Sequence, residues 1–265
     1  MPPVNGKPLN GLRIAITRER GRAQEMADAL AALGAHPVIC PMITFLPPQD
    51  WTQADEALAK LPTFSWIIFT SINGVMYFCS RAKERGIPMN DIKSHRIACV
   101  GEATAAELHK YGVTPDYIPE QQSSEELLAA LSRMMKLAGQ RLLLPRGDLA
   151  SPLLRDGLRK QGATVVDPVV YRNTPDIEGG EVLRREVGEG RVDVVCFSSP
   201  STAVNAIKAL GDMARDWLKG LRTYSIGPMT SRALRDLGIE PTVEAEQHDM
   251  SGLIAAVVRG EVARD

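Results

Sequence analysis

The sequence has few cysteines and few histidines, and neither type is grouped. The cysteines stand far apart, with no C-x-x-C pair, at Cys40, Cys79, Cys99 and Cys196. The histidines lack the spacing of metal ligands and are His36, His95, His109 and His248. We therefore expect no disulfide framework and no metal site. A reducing cytoplasm is the predicted compartment.

Long apolar runs and an excess of one charge are also missing. The longest uninterrupted apolar run is Leu253 to Val258, far too short to cross a bilayer, and residues 1–13 lack the apolar stretch of a secretory signal. Lys and Arg number 31 against 32 Asp and Glu, so no global field attracts nucleic acid or an anionic membrane. The chain is predicted to have no nucleic-acid or membrane partner.

Common catalytic fingerprints do not occur. The sequence contains no G-x-x-x-x-G-K-[ST], no G-x-G-x-x-G, no H-E-x-x-H and no G-x-S-x-G. Nucleotide-dependent, zinc-dependent and serine-hydrolase chemistry all become weaker hypotheses.

An internal repeat is present instead. Arg13 to Val38 aligns with Arg141 to Val166 at an offset of 128 residues, and Trp66 to Val75 aligns with Val194 to Val204. Further matches follow at an offset of 126, so two copies of about 125 residues make up nearly the whole chain.

Each copy alternates short apolar runs with amphipathic helical patterns. Five strands are predicted per copy: Arg13–Ile16, Pro37–Cys40, Trp66–Phe69, Arg96–Val100 and Asp116–Ile118, then Arg141–Leu144, Thr164–Val166, Val192–Phe197, Thr223–Ile226 and Thr242–Glu244. These runs do not alternate, as is typical of parallel strands covered on both faces. Ser123 with Glu126, and Thr104 with Glu107, have the spacing of capping boxes. The pattern predicts α/β architecture with doubly wound parallel sheets.

Two proline-bracketed segments interrupt the pattern at equivalent places, Cys40 to Pro48 and Asp167 to Pro175. Because proline keeps its neighbours out of helix, both are predicted to be extended connectors. One in each copy suggests a paired hinge between two lobes.

Polar loops follow six of the predicted strands, at the edge where open α/β sheets bind ligands. The candidate binding residues in these loops are Arg18, Thr70, Ser71, Asn73, Gly101, Thr104, Arg146, Ser198, Ser199, Ser201, Gly227 and Thr230. Helix starts of this kind bind carboxylate or phosphate. Together the loops predict a two-lobed binder of a multiply anionic ligand, with helix capping as the alternative role for each loop.

Three side chains have two interpretations each. Arg18 and Arg146 occupy equivalent positions, where an arginine either clamps a carboxylate or pairs with its neighbour, Glu19 or Asp148. Tyr171 is by position either an ordinary strand tyrosine or the bearer of a functional hydroxyl.

An ordered set of motifs resembles the uroporphyrinogen-III synthase family. The motifs are I-T-R at Ile16 to Arg18, I-F-T-S-x-N-G-V at Ile68 to Val75, V-G-x-A-T at Val100 to Thr104, L-P-R-G-D at Leu144 to Asp148, V-Y-x-x-x-P at Val170 to Pro175, F-S-S-P-S at Phe197 to Ser201 and I-G-P-x-T at Ile226 to Thr230. Each is short, and their order makes the set specific. Glu19 stands where the family often has proline, and Ser198 where threonine is common.

The resemblance implies two flavodoxin-like doubly wound parallel-sheet domains joined by a two-stranded linker. Residues 1–40 with 176–265 would form one domain and 48–166 the other, with 41–47 and 167–175 as the paired linker strands. It also implies that hydroxymethylbilane is cyclised to uroporphyrinogen III, with ring D inverted through a spiro intermediate and without metal or organic cofactor.

The resemblance gives roles to five of these residues. Tyr171 matches the linker tyrosine proposed to help the substrate hydroxyl depart, as an acid or by positioning. Thr104 and Thr230 match threonines of the substrate cleft, and Ser71 and Ser199 match loop positions near substrate carboxylates. A monomer is expected, with at most transient contact with hydroxymethylbilane synthase. The rival hypotheses are a non-catalytic binder of an anionic metabolite, a regulatory relative and, third, a glycosyl transferase.

Overall fold

The computed structural model describes residues 7–263. The ends of the first predicted domain, 1–6 and 264–265, lie outside this range, as does part of the segment 1–13 examined for a secretory signal. The described chain divides into two compact units. Unit 1 comprises the residues up to Thr44 and from Thr174 onward, and unit 2 comprises Phe45–Asn173. The units are therefore not the two copies of the repeat.

Twelve strands and twelve α-helices are described. The strands are β1 Arg13–Ile16, β2 His36–Ile39, β3 Ile43–Leu46, β4 Trp66–Phe69, β5 Arg96–Cys99, β6 Arg141–Leu143, β7 Arg146–Gly147, β8 Thr164–Val166, β9 Val169–Pro175, β10 Val194–Phe197, β11 Arg222–Ser225 and β12 Val243–Glu244. The helices are α1 Arg20–Ala32, α2 Thr52–Ala59, α3 Ile72–Glu84, α4 Met89–Lys93, α5 Glu102–Lys110, α6 Ser124–Met134, α7 Leu153–Lys160, α8 Ile177–Gly188, α9 Pro200–Leu210, α10 Ala214–Lys219, α11 Pro228–Asp236 and α12 Met250–Val262.

Unit 1 contains a five-stranded parallel sheet in the order β2-β1-β10-β11-β12. Consecutive residues of a strand enter different cores: Ile14 and Ile16 pack with α1 and α12, whereas Ala15 packs on the face of α8 to α11. Both faces are buried, which explains the non-alternating apolar runs. The prediction of parallel α/β architecture is confirmed.

Unit 2 contains a parallel sheet in the order β5-β4-β6-β8. Ile67 and Phe69 face α2, α3 and α5, while Trp66 and Ile68 face α6 and α7. The fifth strand predicted here, Asp116–Ile118, is wrong, because only an isolated bridge joins Tyr117 to Ala98. Pro115 and Pro119 bracket this segment and cannot donate to a ladder.

A third sheet, in the order β3-β9-β7, joins the two predicted connectors and adds the two-residue strand β7. The chain passes between the units within β3 and within β9. Among residues 7–263, none of the helices combines the length and apolar character needed to span a bilayer.

Candidate functional site

In unit 2, the order of strands along the sheet reverses between β4 and β6. A crevice opens beyond the carboxyl ends of the strands at such a point, and ligands of α/β proteins bind there. Thr70 and Ser71 follow β4 directly, and Pro145 and Arg146 follow β6 shortly after its end. A Cβ atom on Gly74 would lie 3.2 Å from the carbonyl oxygen of Pro145, so the two loops are in contact.

Tyr171, in β9, is brought to this point. Its phenolic oxygen lies 3.2 Å from the hydroxyl oxygen of Ser71, within hydrogen-bond distance. The ring of Tyr77 stacks on that of Tyr171, with centroids 5.8 Å apart and planes at 24°. Phe45 meets Tyr171 edge-on at 5.5 Å, and the Tyr77 hydroxyl donates to the Phe45 carbonyl at 2.8 Å. Aromatic neighbours therefore fix the ring while its hydroxyl points to a polar loop.

The other side of the Tyr171 ring approaches backbone. A Cβ on Gly147 would lie 2.6 Å from Cζ of Tyr171 and 2.8 Å from its oxygen, closer than any real contact. Only glycine leaves room for this ring position.

Ser71 has a second role as the cap of α3. Its hydroxyl accepts a hydrogen bond from the backbone N–H of Gly74 at 3.0 Å. Capping and proximity to Tyr171 thus occur together, because an accepting hydroxyl still has a proton to donate. Thr70 and Asn73, on either side, are half-buried.

Arg146 is held by an internal ion pair. Its Nε donates to Asp167 at 2.8 Å and its Nη1 donates to the Gly147 carbonyl at 3.0 Å. Asp167 also accepts from Arg159 at 2.7 Å. The proposed pairing with Asp148 is wrong, because the Asp148 carboxylate accepts from the backbone of Leu149 and Asn173 instead. Arg146 is thereby less available to a ligand.

The third loop of unit 2 precedes α5. Gly101 is the residue before the first turn, and it has no side chain of its own to cap this helix. Thr104 is the third residue of α5 and is 5% exposed, so the capping box predicted for Thr104 and Glu107 is wrong. A Cβ on Gly101 would overlap the Gln122 side chain, whose oxygen accepts from the Glu102 N–H at 3.1 Å.

In unit 1, the strand order reverses between β1 and β10. The Thr17 hydroxyl donates to the Cys196 carbonyl at 2.7 Å and ties the two strand ends together. Arg18 follows, half-buried, and no carboxylate within residues 7–263 pairs with its guanidinium. Burial and the neighbouring charge of Arg22 lower the pKa of Arg18. The alternative partner Glu19 instead caps α1 by accepting from Gly21 at 2.6 Å.

The loop after β10 forms the start of α9. Ser199 caps the helix by accepting from the Thr202 N–H, and the Thr202 hydroxyl accepts from the Ser199 N–H in return. The hydroxyls of Ser199 and Ser201 are 2.9 Å apart, and Ser198 is half-buried beside them. These hydroxyls and the positive end of α9 suit a carboxylate.

The loop after β11 resembles the loop before α5, with a glycine in place of a capping side chain. Gly227 precedes Pro228, the first residue of α11, and Thr230 lies in the first turn, 1% exposed. The Thr230 N–H donates to the Gly227 carbonyl at 3.0 Å. A Cβ on Gly227 would press on the ring of His248 at 2.8 Å.

Two other site chemistries are disfavoured in the described chain. Within residues 7–263, no three His, Cys, Asp or Glu side chains are grouped as metal ligands. The cysteines are buried and unpaired, and burial raises the pKa of Cys40, Cys79 and Cys99 to about 12. A thiol of that kind is a poor nucleophile at neutral pH.

The sequence patterns missed the surroundings of Tyr171. Tyr77, Phe45 and Asp167 were not singled out, and Gly147 appeared only inside a motif. The L-P-R-G-D motif, which contains Gly147, was the one feature of the sequence that indicated a role for this glycine. The stacking of Tyr77 on Tyr171 and the Arg146–Asp167 ion pair cannot be predicted from the spacing of these residues in the sequence.

Comparison with known proteins gives consistent matches. A sequence model of the family described as "Uroporphyrinogen-III synthase HemD" matches residues 24–255. The uroporphyrinogen-III synthase of Synechococcus elongatus is 30% identical over 256 residues, which cover 95% of this chain and 96% of the relative. That of Chlorobaculum parvum is 28% identical over 246 residues, covering 92% and 97%.

A solved structure supports the fold. The crystal structure of a mutant uroporphyrinogen III synthase from the extremely thermophilic bacterium Thermus thermophilus covers 96% of this chain and 100% of its own, with a TM-score of 0.63 at 19% identity. The family match spans most of the chain, and the 30% identical relative aligns over nearly its whole length. This chain belongs to the uroporphyrinogen-III synthase family.

Proposed function

We propose that this chain converts hydroxymethylbilane to uroporphyrinogen III, as a cyclising lyase of tetrapyrrole biosynthesis. The observation that carries the proposal is the Tyr171 hydroxyl, held 3.2 Å from Ser71 beyond the carboxyl ends of β4 and β6. Contacts with Phe45 and Tyr77 fix the ring of Tyr171, and its hydroxyl is the group that we propose acts on the substrate.

In the proposed reaction the hydroxyl of ring A's terminal carbon leaves and becomes water, which leaves an azafulvenium cation. Tyr171 donates a hydrogen bond or proton to the departing oxygen, and Ser71 orients the phenol. Ring D then attacks through its substituted carbon to give a spiro intermediate. Fragmentation and reclosure through the unsubstituted carbon leave ring D inverted, and that carbon then loses its proton, which restores the neutral pyrrole and returns to Tyr171 any proton it donated.

The substrate's acetate and propionate groups do not react, and binding them requires hydrogen-bond donors. In unit 1, Arg18 and the starts of α9 and α11, with Ser198, Ser199, Ser201, Gly227 and Thr230, are the proposed carboxylate sites. In unit 2, the proposed sites are Thr70, Asn73, Gly101 and Thr104, with Arg146 weakened by its ion pair. Holding a flexible chain in one conformation is catalysis by orientation.

We propose further that each unit is a flavodoxin-like domain and that the connectors form the linker between them. The order β2-β1-β10-β11-β12, which is 2-1-3-4-5 along unit 1, supports this for the first domain. The boundaries 1–40 with 176–265, 41–47 with 167–175, and 48–166 remain predictions. So do monomeric state, cytoplasmic location and transient contact with hydroxymethylbilane synthase.

The test is a coupled assay in which freshly made hydroxymethylbilane is added and the oxidised porphyrins are resolved by isomer. We expect mostly the type III isomer, formed faster than the type I isomer that free bilane gives. Folded protein that yields only type I at the uncatalysed rate would contradict the proposal. That outcome would favour a non-catalytic binder or regulatory relative.

A further inference from the structure

Arg141 is the first residue of β6, so it lies at the amino ends of the strands of the unit 2 sheet, whereas the candidate site lies beyond their carboxyl ends. Its Nε is buried without a hydrogen-bond partner, the one such side-chain nitrogen or oxygen among residues 7–263. The guanidinium carbon lies 5.0 Å from the centre of the Phe64 ring. Since leaving a buried donor unpaired costs free energy, each such group calls for an explanation.

The internal repeat identifies what Arg141 lacks. Arg13 is its equivalent in unit 1, where Nε and Nη2 donate to the two carboxylate oxygens of Asp193 at 3.0 and 2.9 Å. The position of Asp193 is occupied by Ser65 in unit 2. The backbone contact is the same in both units: Asp193 N–H donates to the Arg13 carbonyl at 2.9 Å, and Ser65 N–H donates to the Arg141 carbonyl at 2.8 Å.

Serine thus replaces the acid without changing the backbone. The Ser65 hydroxyl donates to the Arg141 carbonyl at 3.1 Å and offers the guanidinium nothing comparable to a carboxylate. Within residues 7–263 no carboxylate pairs with the Arg141 guanidinium, and its terminal nitrogens keep donors for an oxyanion.

A cavity of about 290 Å³ adjoins Arg141. Lys60, Arg159 and Gln53 contribute further donors to its lining, beside the acids Glu56 and Asp167. Both acids already have cationic partners: Glu56 lies 3.8 Å from Lys60, and Asp167 binds Arg146 and Arg159. Arg141 has only the face of the Phe64 ring as a partner for its charge among residues 7–263.

We infer that this cavity binds a small oxyanion, a phosphate or a carboxylate, on the terminal nitrogens of the Arg141 guanidinium, since the buried Nε is out of reach of the cavity. The Arg141 end of the cavity lies at the amino end of β6, whereas its Asp167 end follows the carboxyl end of β8 and binds Arg146. The bound anion stabilises unit 2 by supplying the partner that the chain omits.

The test follows the Nε–H resonance of Arg141 by NMR, assigned through Arg141→Gln, during separate titrations with phosphate and succinate at constant ionic strength. We expect a saturable shift with at least one of them, and a rise in Tm over the same concentration range. The two titrations distinguish a phosphate site from a carboxylate site.

Three variants separate binding from general salt effects. Ser65→Asp places the missing carboxylate beside Arg141 and should abolish the saturable response while raising Tm without added anion. Arg141→Gln should keep only the small, unsaturable effect of phosphate on any protein. Arg96→Gln, which removes an exposed arginine near Trp66 at 5.7 Å, should respond like wild type.

Unchanged titration curves in Ser65→Asp, or no saturable shift in wild type with either anion, would overturn the inference. If Ser65→Asp fails to fold, Arg141→Gln and the wild-type Nε–H resonance still decide. None of these readouts depends on synthase activity.

Discussion

The hydroxyl oxygen of Ser71 lies 3.2 Å from the phenolic oxygen of Tyr171, although 100 residues separate them in the chain. Ser71 also caps α3, so its position is set by the helix as well as by the tyrosine. Tyr171 is fixed by Tyr77 on one ring face and by the backbone of Gly147. The helix start holds Ser71 and the neighbouring ring and backbone hold Tyr171, so the two hydroxyls stay close together.

Tyr171→Phe should lower kcat about 10–100-fold, because it removes the proposed hydrogen bond to the leaving hydroxyl and keeps the ring. KM and Tm should change little, since the stack with Tyr77 persists. The measurement is the initial rate of type III product. Tyr117→Phe, outside the site, is the matched control, and a wild-type rate in Tyr171→Phe would remove this hydroxyl from the mechanism.

Gly147→Ala should impair activity through the position of Tyr171. The added methyl would lie 2.6 Å from Cζ of the ring, so the ring must move. We expect a loss of kcat of about tenfold or more and a destabilisation of about 1–3 kcal/mol. Gly220→Ala, where the nearest atom is 3.6 Å away, should leave both kcat and the urea midpoint unchanged. Full activity in Gly147→Ala would show that the ring position is not critical.

Arg18→Gln and Arg146→Gln should affect different properties of the protein, although the two arginines are equivalent in the repeat. Arg18 pairs with no carboxylate in the described chain, so its loss should raise KM about tenfold and leave stability intact. Loss of Arg146 should cost about 1–2 kcal/mol of stability, because Asp167 loses a partly buried donor. Steady-state kinetics and denaturant unfolding measure the two effects. Equal effects of both variants on KM would contradict this assignment.

Asp193→Asn should change the acid limb of the stability curve. Hydrogen bonds from Arg13 hold the pKa of Asp193 below its ordinary value of about 3.9. A carboxyl with a lowered folded-state pKa stabilises the protein above the unfolded pKa, and this stabilisation is lost as pH falls through the folded pKa.

Wild type should therefore exceed Asp193→Asn in unfolding free energy by a constant amount at neutral pH, and the difference should shrink below about pH 4. Urea unfolding at several pH values measures it. Asp212→Asn, an exposed acid, serves as the control. A difference that persists undiminished at pH 2 would mean that the Arg13–Asp193 ion pair is not its cause.

Secondary structure was largely predictable from local pattern. Trp66–Phe69 and Thr164–Val166 have the bounds that their apolar runs predicted, because strands buried on both faces need an uninterrupted apolar run. Asp116–Ile118 failed because its flanking prolines prevent a ladder. At Thr104, a correct capping spacing did not mark a cap, because α5 begins two residues earlier, at Glu102.

The loops of the candidate site were predictable from the sequence, but the contacts between their side chains were not. Spacing placed Ser71 and Arg146 after strands, and the resemblance singled out Tyr171. The ring stack of Tyr77 and the Asp167 ion pair depend on which strands are neighbours. Strand order is decided by the packing of helices on both faces, to which residues distant in sequence contribute.

By itself, the sequence determined the parallel α/β architecture, the repeat and the family, because buried-strand composition and ordered motifs are properties of linear order. Only the tertiary structure decided that, within residues 7–263, Arg146 pairs with a carboxylate while Arg18 does not, and that Ser65 leaves Arg141 without the acid that Arg13 has. Such differences arise from contacts between chain segments far apart. Two equivalent positions of one repeat can therefore carry the same residue and still differ in charge balance.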